Sequence, residues 1–584
     1  MKNFMKFSLA LVLAAVMMTG CNCFGKMAKH QDEVSITCTP EVLALNNGKV
    51  AADITVTFPE AYFNQKAVLK VTPVMVFQGG KVEGPTKYYQ GVKVIDNYTV
   101  VDKTSGGKFT QHVEFAYDDR MQSSELQLRV EVKCPGGKCK TFTVVNANTG
   151  ALPTKAEAVI LDEGGAEAEA LRSRFALTVA KGVNVMQKDL RYADAMAMSA
   201  NDYKNVKTHV TKADIIYAIN SSQASSKSAN SSDMKAFKQN VENTMGNDRA
   251  TQHIYVNGYA SPDGPERFND KLSKARSQSG QKVVDKMLKD TGLDVDAAFY
   301  GEDWEGFQEL VAASNIEDKD LILQVLKMYS SSTQREAEIK NMAAVFSALK
   351  NEILPKLRRA QVVNSTDVIG KTDAEMMALV NAGRYDELDN EELLYCAESL
   401  TNDEKVRIDL LKYTAQKYND ARAYNNLGVA YARTGDQAAS LKAIEKAAQL
   451  GLNTPEIDDN LALANLANGN VEAAKRYAAS ADKETKSLLA AAEGNYEAAA
   501  QGLKGYNAAV ANFMNDNYTA AKQNLKGDAS ANADYLRAVI AVKEGDLESA
   551  KAQLKSAVSK NGALAAKAAK DVNLKALYKN GFAL

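Results

Sequence analysis

The chain has 584 residues, with 71 basic against 72 acidic side chains, 7% aromatics and a single Trp. At roughly 150 residues per domain this length calls for three or four domains, and the balanced charge argues against a nucleic-acid binder, whose affinity rests on many phosphate contacts. Four His and six scattered Cys, with no Cys-x-x-Cys or His-x-x-x-His spacing, offer no run of metal ligands.

The first 23 residues read "MKNFMKFSLALVLAAVMMTGCNC". Lys2 and Lys6 give a basic start, and Phe7 to Met18 is an apolar run of about 12, too short to span a bilayer. This is the pattern of a secretory signal. Met18-Thr19-Gly20-Cys21 resembles a bacterial lipobox, in which small residues precede a Cys that is acylated and becomes residue one. The reading is a signal peptide over 1–20, lipidation at Cys21 and a tether over 21–32, against the plainer reading of an ordinary signal peptide and thiol. Each buried lipid methylene contributes about 0.8 kcal/mol, so a multiply acylated Cys is a firm anchor. Without Lys2 and Lys6 the formal charge moves from −1 to −3.

Residues 33–147 are expected to form a β-sandwich. "EVSITCTPEVL", "KVAADITVTFP", "AVLKVTPVMVF", "KFTQHVEFAY" and "LQLRVEVK" are short alternating or β-branched runs separated by Gly, Pro, Asn and Asp. Cys134 and Cys139 bracket Pro-Gly-Gly-Lys between two strand-like runs, and a disulfide closing that loop suits an oxidising compartment. Cys396, in "EELLYCAESL", reads as a buried helical residue. Residues 148–205 read as a connecting segment, with "SRFALTVAKG" the more strand-like part.

From 206 to 366 the order becomes β-α-β-α-β-α-β, one α/β domain with helices on one side of a mixed sheet. "ADIIYAINSSQ" and "TQHIYVNGYA" are strands. In "DMKAFKQNVENTM" the apolar residues Met234, Phe237, Val241 and Met245 fall on helical spacing. A helix from Glu266 to Thr291 would bury Phe268, Leu272, Ala275, Val283, Val284, Met287 and Leu288. From 367 to 584 a unit recurs: "NAGRYDE", "RTGDQAA", "NGNVEAA", "EGNYEAA", "NDNYTAA", "EGDLESA". Its turn residues are Gly383, Gly435, Gly469, Gly494, Asp516 and Gly545. The 34 residues from Gly435 to Gly469 match the period of a tetratricopeptide repeat. Tyr424, Leu427, Gly428, Tyr431, Ile444 and Ala447 are its expected interior.

Gly258-Tyr259, Gly264, Asn269, Leu272-Ser273 and Arg276, with Gly301-Glu302 and Arg358-Arg359, make residues 206–366 resemble the peptidoglycan-binding domain of the OmpA-like family. "GYASPDG", "GEDWEGF" and "LRRAQV" are closest to a variant found in Gram-negative anaerobes. The resemblance implies a site for the stem-peptide end that carries both carboxylate and ammonium groups. An Arg suits the carboxylate because its planar fork grips it bidentately; Arg276 stands at that position, with Asn269 supporting the loop. The family's Asp two residues after Gly-Tyr is here Ser261, which carries no charge. Asp263 is the alternative anion, although Pro262-Asp263-Gly264 is also a favoured turn tripeptide. Of Arg358 and Arg359, one is expected to pin the sheet and the other to line the pocket.

The expectation is therefore a lipoprotein of the outer membrane, without an acidic run after Cys21 and so facing the periplasm. It would tether the membrane to peptidoglycan and scaffold envelope proteins on the concave face of its helical repeats. The alternative is a protein-interaction component of an outer-membrane secretion, barrel-assembly or fimbrial machine that does not bind peptidoglycan. No catalytic order, metal site or cofactor motif stands out; His112, His209 and His253 lie in strand-like runs without evident partners and His30 lies in the tether.

Overall fold

The structure, a computed structural model, describes residues 23–136, 140–341 and 343–584. The signal peptide over 1–20, Cys21 and Cys139 lie outside the described residues. The chain forms two compact units. One joins the chain up to Ala200 with Thr401–Leu584; the other is Asn201–Leu400, inserted between those two halves.

The first unit begins with a sandwich of two sheets. In the first, the strand Lys49–Phe58 pairs with Ser35–Thr39, Leu43–Asn46 and Gly107–Ala116. It buries alternate residues, from Val50 through Ile54 to Phe58, as a half-buried strand must. In the second, Val68–Phe77 and Glu125–Lys133 are central, flanked by Lys87–Gly91 and Thr99–Val101 on one side and Thr143–Val145 on the other. Val50, Ile54, Met75, Leu126 and Leu128 meet between the sheets.

Three expectations change here. The tether is not free: Phe24 and Met27 are 3% and 0% exposed and belong to the sandwich core. Cys134 pairs with Cys23 and not with Cys139, the two Cα atoms standing 6.3 Å apart, a normal span for a disulfide. The physical reason is direction. Cys134 turns inward at the end of its strand, 2% exposed, toward the segment that closes the sandwich. Cys38 and buried Cys396 are free. Finally, the connecting segment is structured. A Thr154–Glu157 capping box starts the helix Lys155–Glu163, and Gly165–Phe175 follows. Leu177–Lys181 then pairs with the strand Glu125–Lys133, and Val183–Asn184 runs parallel to Leu43–Ala44.

The inserted unit has four strands in spatial order first, fourth, second, third: Val206–Ile216, Arg359–Ile369, Ala250–Ala260 and Val295–Glu302. Only the last two run parallel. The helices Ser232–Thr244 and Glu266–Met287 cover one face through Met234, Phe237, Val241 and Val284 against Ile215, Ile254, Val256 and Val362. The expected stripe of the long helix is displaced in its first half. Phe268 is 45% exposed, and the buried residues are Asn269, Ser273, Arg276, Ser277 and Gly280. Close approach is the cause. A Cβ on Gly258 would stand 2.1 Å from the Ser273 carbonyl oxygen, so strand and helix touch backbone to backbone and leave no room for large apolar side chains. Shorter helices between Trp304 and Leu357 pack around Phe307, Val311, Ile322 and Leu349 as a separate cluster.

After Thr401 helix pairs stack into a solenoid, beginning Glu404–Tyr418, Ala421–Arg433, Gln437–Gln449 and Glu456–Ala467. The residues read as turn positions, Gly383, Gly435, Gly469, Gly494, Asp516 and Gly545, all have φ between 55° and 87°, the left-handed conformation that ends a helix. Gly428 sits where helices cross: a Cβ there would meet Ile444 at 2.3 Å. The repeats start later than expected, because Asp373–Asn381 and Asn390–Tyr395 belong to the inserted unit.

Candidate functional site

Two constellations hold polar side chains in non-random order. The first lies at the turn Ser261–Gly264, where the second strand of the inserted unit leaves the sheet. Asn269 holds this turn. Its side-chain amide donates to the carbonyls of Ser261 (3.2 Å) and Gly264 (3.0 Å) and to the Glu302 carboxylate (2.8 Å). The Ser261 hydroxyl donates to the Asp263 carboxylate. Arg358 faces both, its Nε donating to Ser261 Oγ and its Nη2 to Asp263 Oδ2, each at 3.3 Å. The Asp263 and Arg358 side chains are 20% and 12% exposed, so the pair is shielded from bulk water yet reachable.

Arg276 lies beneath this pair and is 0% exposed. Its three donor nitrogens reach backbone carbonyls: Nε to Ser221 (3.0 Å), Nη1 to Tyr259 (2.9 Å) and Nη2 to Ala218 (3.4 Å). Burial pushes the guanidinium down to about 10. In this arrangement Arg276 ties the loop after the first strand to the end of the second, and Arg358 stands toward the turn in its place. Arg359 is the residue that pins the sheet, paired with Asp214 (3.0 Å) and Asp303 (2.8 Å). Burial raises the Asp303 carboxyl above its ordinary value, against the pull of Arg359. On the open face of the sheet, Tyr259 stacks on Tyr300 at 5.5 Å. The structure thus brings Ser261, Asp263 and Arg358 together, with Asn269 and Arg276 as supports.

The second constellation is the concave face of the solenoid, and it is occupied. Residues 184–199 run along it in the direction opposite to the repeats. Three asparagines each clamp one backbone unit of this segment in both directions. Asn507 Oδ1 accepts from the Arg191 amide (2.8 Å) and its Nδ2 donates to the Arg191 carbonyl (3.1 Å). Asn460 holds Ala197 in the same way at 3.1 and 2.7 Å, and Asn426 holds Ser199 at 2.6 and 2.9 Å. Gln187 donates to the carbonyls of Ala491 and Ala492, and Asp189 is ion-paired with Lys567. Arg191 lies 3.8 Å from the centre of the Tyr506 ring. Met186, Leu190 and Met196 are buried in the solenoid core.

Where a partner protein was expected to dock, a segment of the chain itself lies on this face. Two 3-10 turns, Met186–Asp189 and Tyr192–Ala195, satisfy part of the segment's backbone from within, and the three asparagines supply partners for Arg191, Ala197 and Ser199 between and after them. The signal was present in sequence: Asn426-Leu427-Gly428, Asn460-Leu461-Ala462 and Asn507-Ala508-Ala509 place an Asn two residues before a small residue in three of the inner helices.

These features define a chain with an N-terminal β-rich region, an α/β insertion and C-terminal helical repeats. Among solved structures it is similar to a tetratricopeptide repeat protein from Parabacteroides merdae ATCC 43184, at 14% identity over 47% of this chain and 99% of that one, with a TM-score of 0.26. It is also similar to YrrB, a TPR protein with an unusual peptide-binding site, at 16% identity over 34% and 99%, TM-score 0.19. A third likeness is to the APC/C hetero-tetramer Cut9–Hcn1, at 13% over 61% and 85%, TM-score 0.28. No protein-family model matches the chain, and no curated protein matches it.

Proposed function

We propose that this is a lipid-anchored outer-membrane protein facing the periplasm, whose inserted unit is an OmpA-like domain that holds the peptidoglycan stem peptide. The observation that carries the reading is the Asp263–Arg358 pair. A carboxylate and a guanidinium 3.3 Å apart, each part-shielded, form a site for a group bearing both charges. The ammonium of a diaminopimelate-like end would displace Arg358 from Asp263, while its carboxylate takes the freed guanidinium fork. Buried Arg276 adds a second positive charge below the turn, which favours an incoming carboxylate. Ser261 then serves by orienting Asp263 and not by supplying charge.

The solenoid is a scaffold, and its first client is its own chain: it braces the segment that leads into the inserted unit. Envelope proteins would dock elsewhere on the repeats. No enzymatic role is proposed.

Retention of the purified chain by isolated sacculi tests the wall reading. Wild type is expected to sediment with sacculi, and Arg358→Ala and Asp263→Asn to remain in the supernatant with an unchanged unfolding profile. Wild type that fails to sediment, or variants that sediment as well as it does, would remove the wall from the proposal. The competing protein-partner reading draws on Phe268 in the helix after the turn and on Phe299 and Tyr300 in the neighbouring strand Val295–Glu302, 45%, 47% and 60% exposed. It predicts retention by neither form.

A further inference from the structure

The end of the β-sandwich that receives Cys23 carries more apolar exposure than a solvated surface needs. Val92, Ile95 and Val100 fall within nine residues and are 45%, 101% and 50% exposed. Exposed apolar residues scattered singly need no explanation, but a cluster does. This one is held rigidly. The amides of Gly91 and Lys93 donate to the carbonyls of Ala67 and Gln65, the Gln90 side chain bonds Val94 and Tyr98, and the Tyr98 ring stacks on Tyr88 at 4.7 Å. A loop so fixed presents Ile95 outward by construction.

Its position relative to the N-terminus is set by short links. Asp96 stands 3.6 Å from Lys133, whose neighbour Cys134 is bonded to Cys23. Cys21 precedes Cys23 by two residues, a reach of at most about 7 Å for extended chain. Phe24 and Met27, buried in the core, remove any slack on the other side. Were Cys21 acylated, its lipid would be attached no further than that reach from Cys23, which this end of the sandwich holds.

We propose that this end is a membrane-docking surface: the loop Val92–Val100 inserts Ile95 into the bilayer that holds the lipid of Cys21, and the sandwich rests on the membrane without a spacer. The inference rests on the lipid-anchor reading. The occupant is the bilayer because an acylated Cys21 would bring it there.

The test uses the full chain as processed in cells, reconstituted into vesicles of phosphatidylethanolamine and phosphatidylglycerol at 3:1. Ile95→Trp is made in a Trp304→Phe background, so that one indole reports. Val82→Trp in the same background, on the strand at the opposite end of the same sheet, is the reference. Lipids brominated on their acyl chains are expected to quench the Ile95→Trp protein severalfold more than the Val82→Trp protein, and the emission of the former should be blue-shifted. Equal quenching of the two variants, in protein whose N-terminal peptide has the mass of an acylated Cys21, overturns the docking surface and leaves the anchor standing. An indole in the Ile95→Trp protein that is shielded from aqueous quencher but not reached by brominated lipid also overturns it, in favour of a protein occupant. An N-terminal peptide without acyl mass overturns the anchor and the surface together.

Discussion

Replacing Asn460 by Ala isolates one clamp on the segment in the solenoid groove. Asn460 is 0% exposed; it accepts from the Ala197 amide at 3.1 Å, and donates to the Ala197 carbonyl at 2.7 Å and to Asn425 Oδ1 at 2.8 Å. The carbonyl keeps a weaker bond from Asn425 at 3.3 Å, but the amide loses its partner. Ala197 is itself exposed and its amide only part-buried, so water can take the place of the lost acceptor and the local penalty is about 1.5 kcal/mol, the net worth of a hydrogen bond. At about 1.4 kcal/mol per factor of ten, the Ala197 amide should exchange with deuterium on the order of tenfold faster. Arg191, clamped by Asn507 further along the groove, should change much less. Exchange measured peptide by peptide reads this directly. An Ala197 amide as protected in the variant as in wild type would refute the claim that the asparagine row holds the segment.

Three further outcomes follow from the geometry. Peptide mapping without reduction should recover Cys23 joined to Cys134, and Cys134→Ser should cost about 2–5 kcal/mol in the first unit; a Cys134–Cys139 peptide would contradict the fold of the N-terminal segment. Burial pushes the Cys38 thiol up to about 11 and the Cys396 thiol up to about 12, Asp53 adding to the first and Glu392 to the second. Since the thiolate is the nucleophile, alkylation of the folded protein at pH 8 should be slow at both and should rise roughly tenfold per pH unit toward those values. Fast alkylation at neutral pH would show that these sites are open. Gly258→Ala should destabilise the inserted unit by about 3 kcal/mol, the upper end for overpacking, because its Cβ would lie 2.1 Å from the Ser273 oxygen; an unchanged unfolding midpoint would mean that helix and strand can separate freely.

Much of the architecture was legible because it rests on local rules. Turn residues with positive φ need Gly or a short polar side chain, so Gly435, Gly469 and Asp516 could be read directly. Strand alternation in Lys49–Phe58 and the helical spacing of Met234, Phe237 and Val241 follow from burying one face. The turn with Ser261, Asp263 and Asn269 was legible through its residues, but the partner of Asp263 was not. Arg276 and Arg358 are both arginines beside the turn, and only the close approach at Gly258, which buries the long helix around Arg276, decides which guanidinium reaches the surface. The disulfide was missed for a related reason. Cys134 and Cys139 are near in sequence, whereas Cys23 is 111 residues away and is brought in by Phe24 and Met27 entering the core.

The groove is the instructive case, because there the sequence favours one conclusion and the structure another. A row of asparagines along the inner helices is a device for reading backbone, since a carboxamide offers one donor and one acceptor in the spacing of a peptide unit. Such a row is indifferent to most side chains, so it cannot by itself select a foreign partner over the chain's own segment. Selection here comes from tethering. The segment is joined at one end to the strand Val183–Asn184, and intramolecular attachment raises its effective concentration far above that of a free protein. Met186, Leu190 and Met196 then add buried apolar area, and Asp189 finds Lys567. A competing peptide would have to offer the same anchors and also overcome that advantage. The solenoid therefore acts first as part of the protein's own framework, gripping the chain immediately before the inserted unit begins at Asn201.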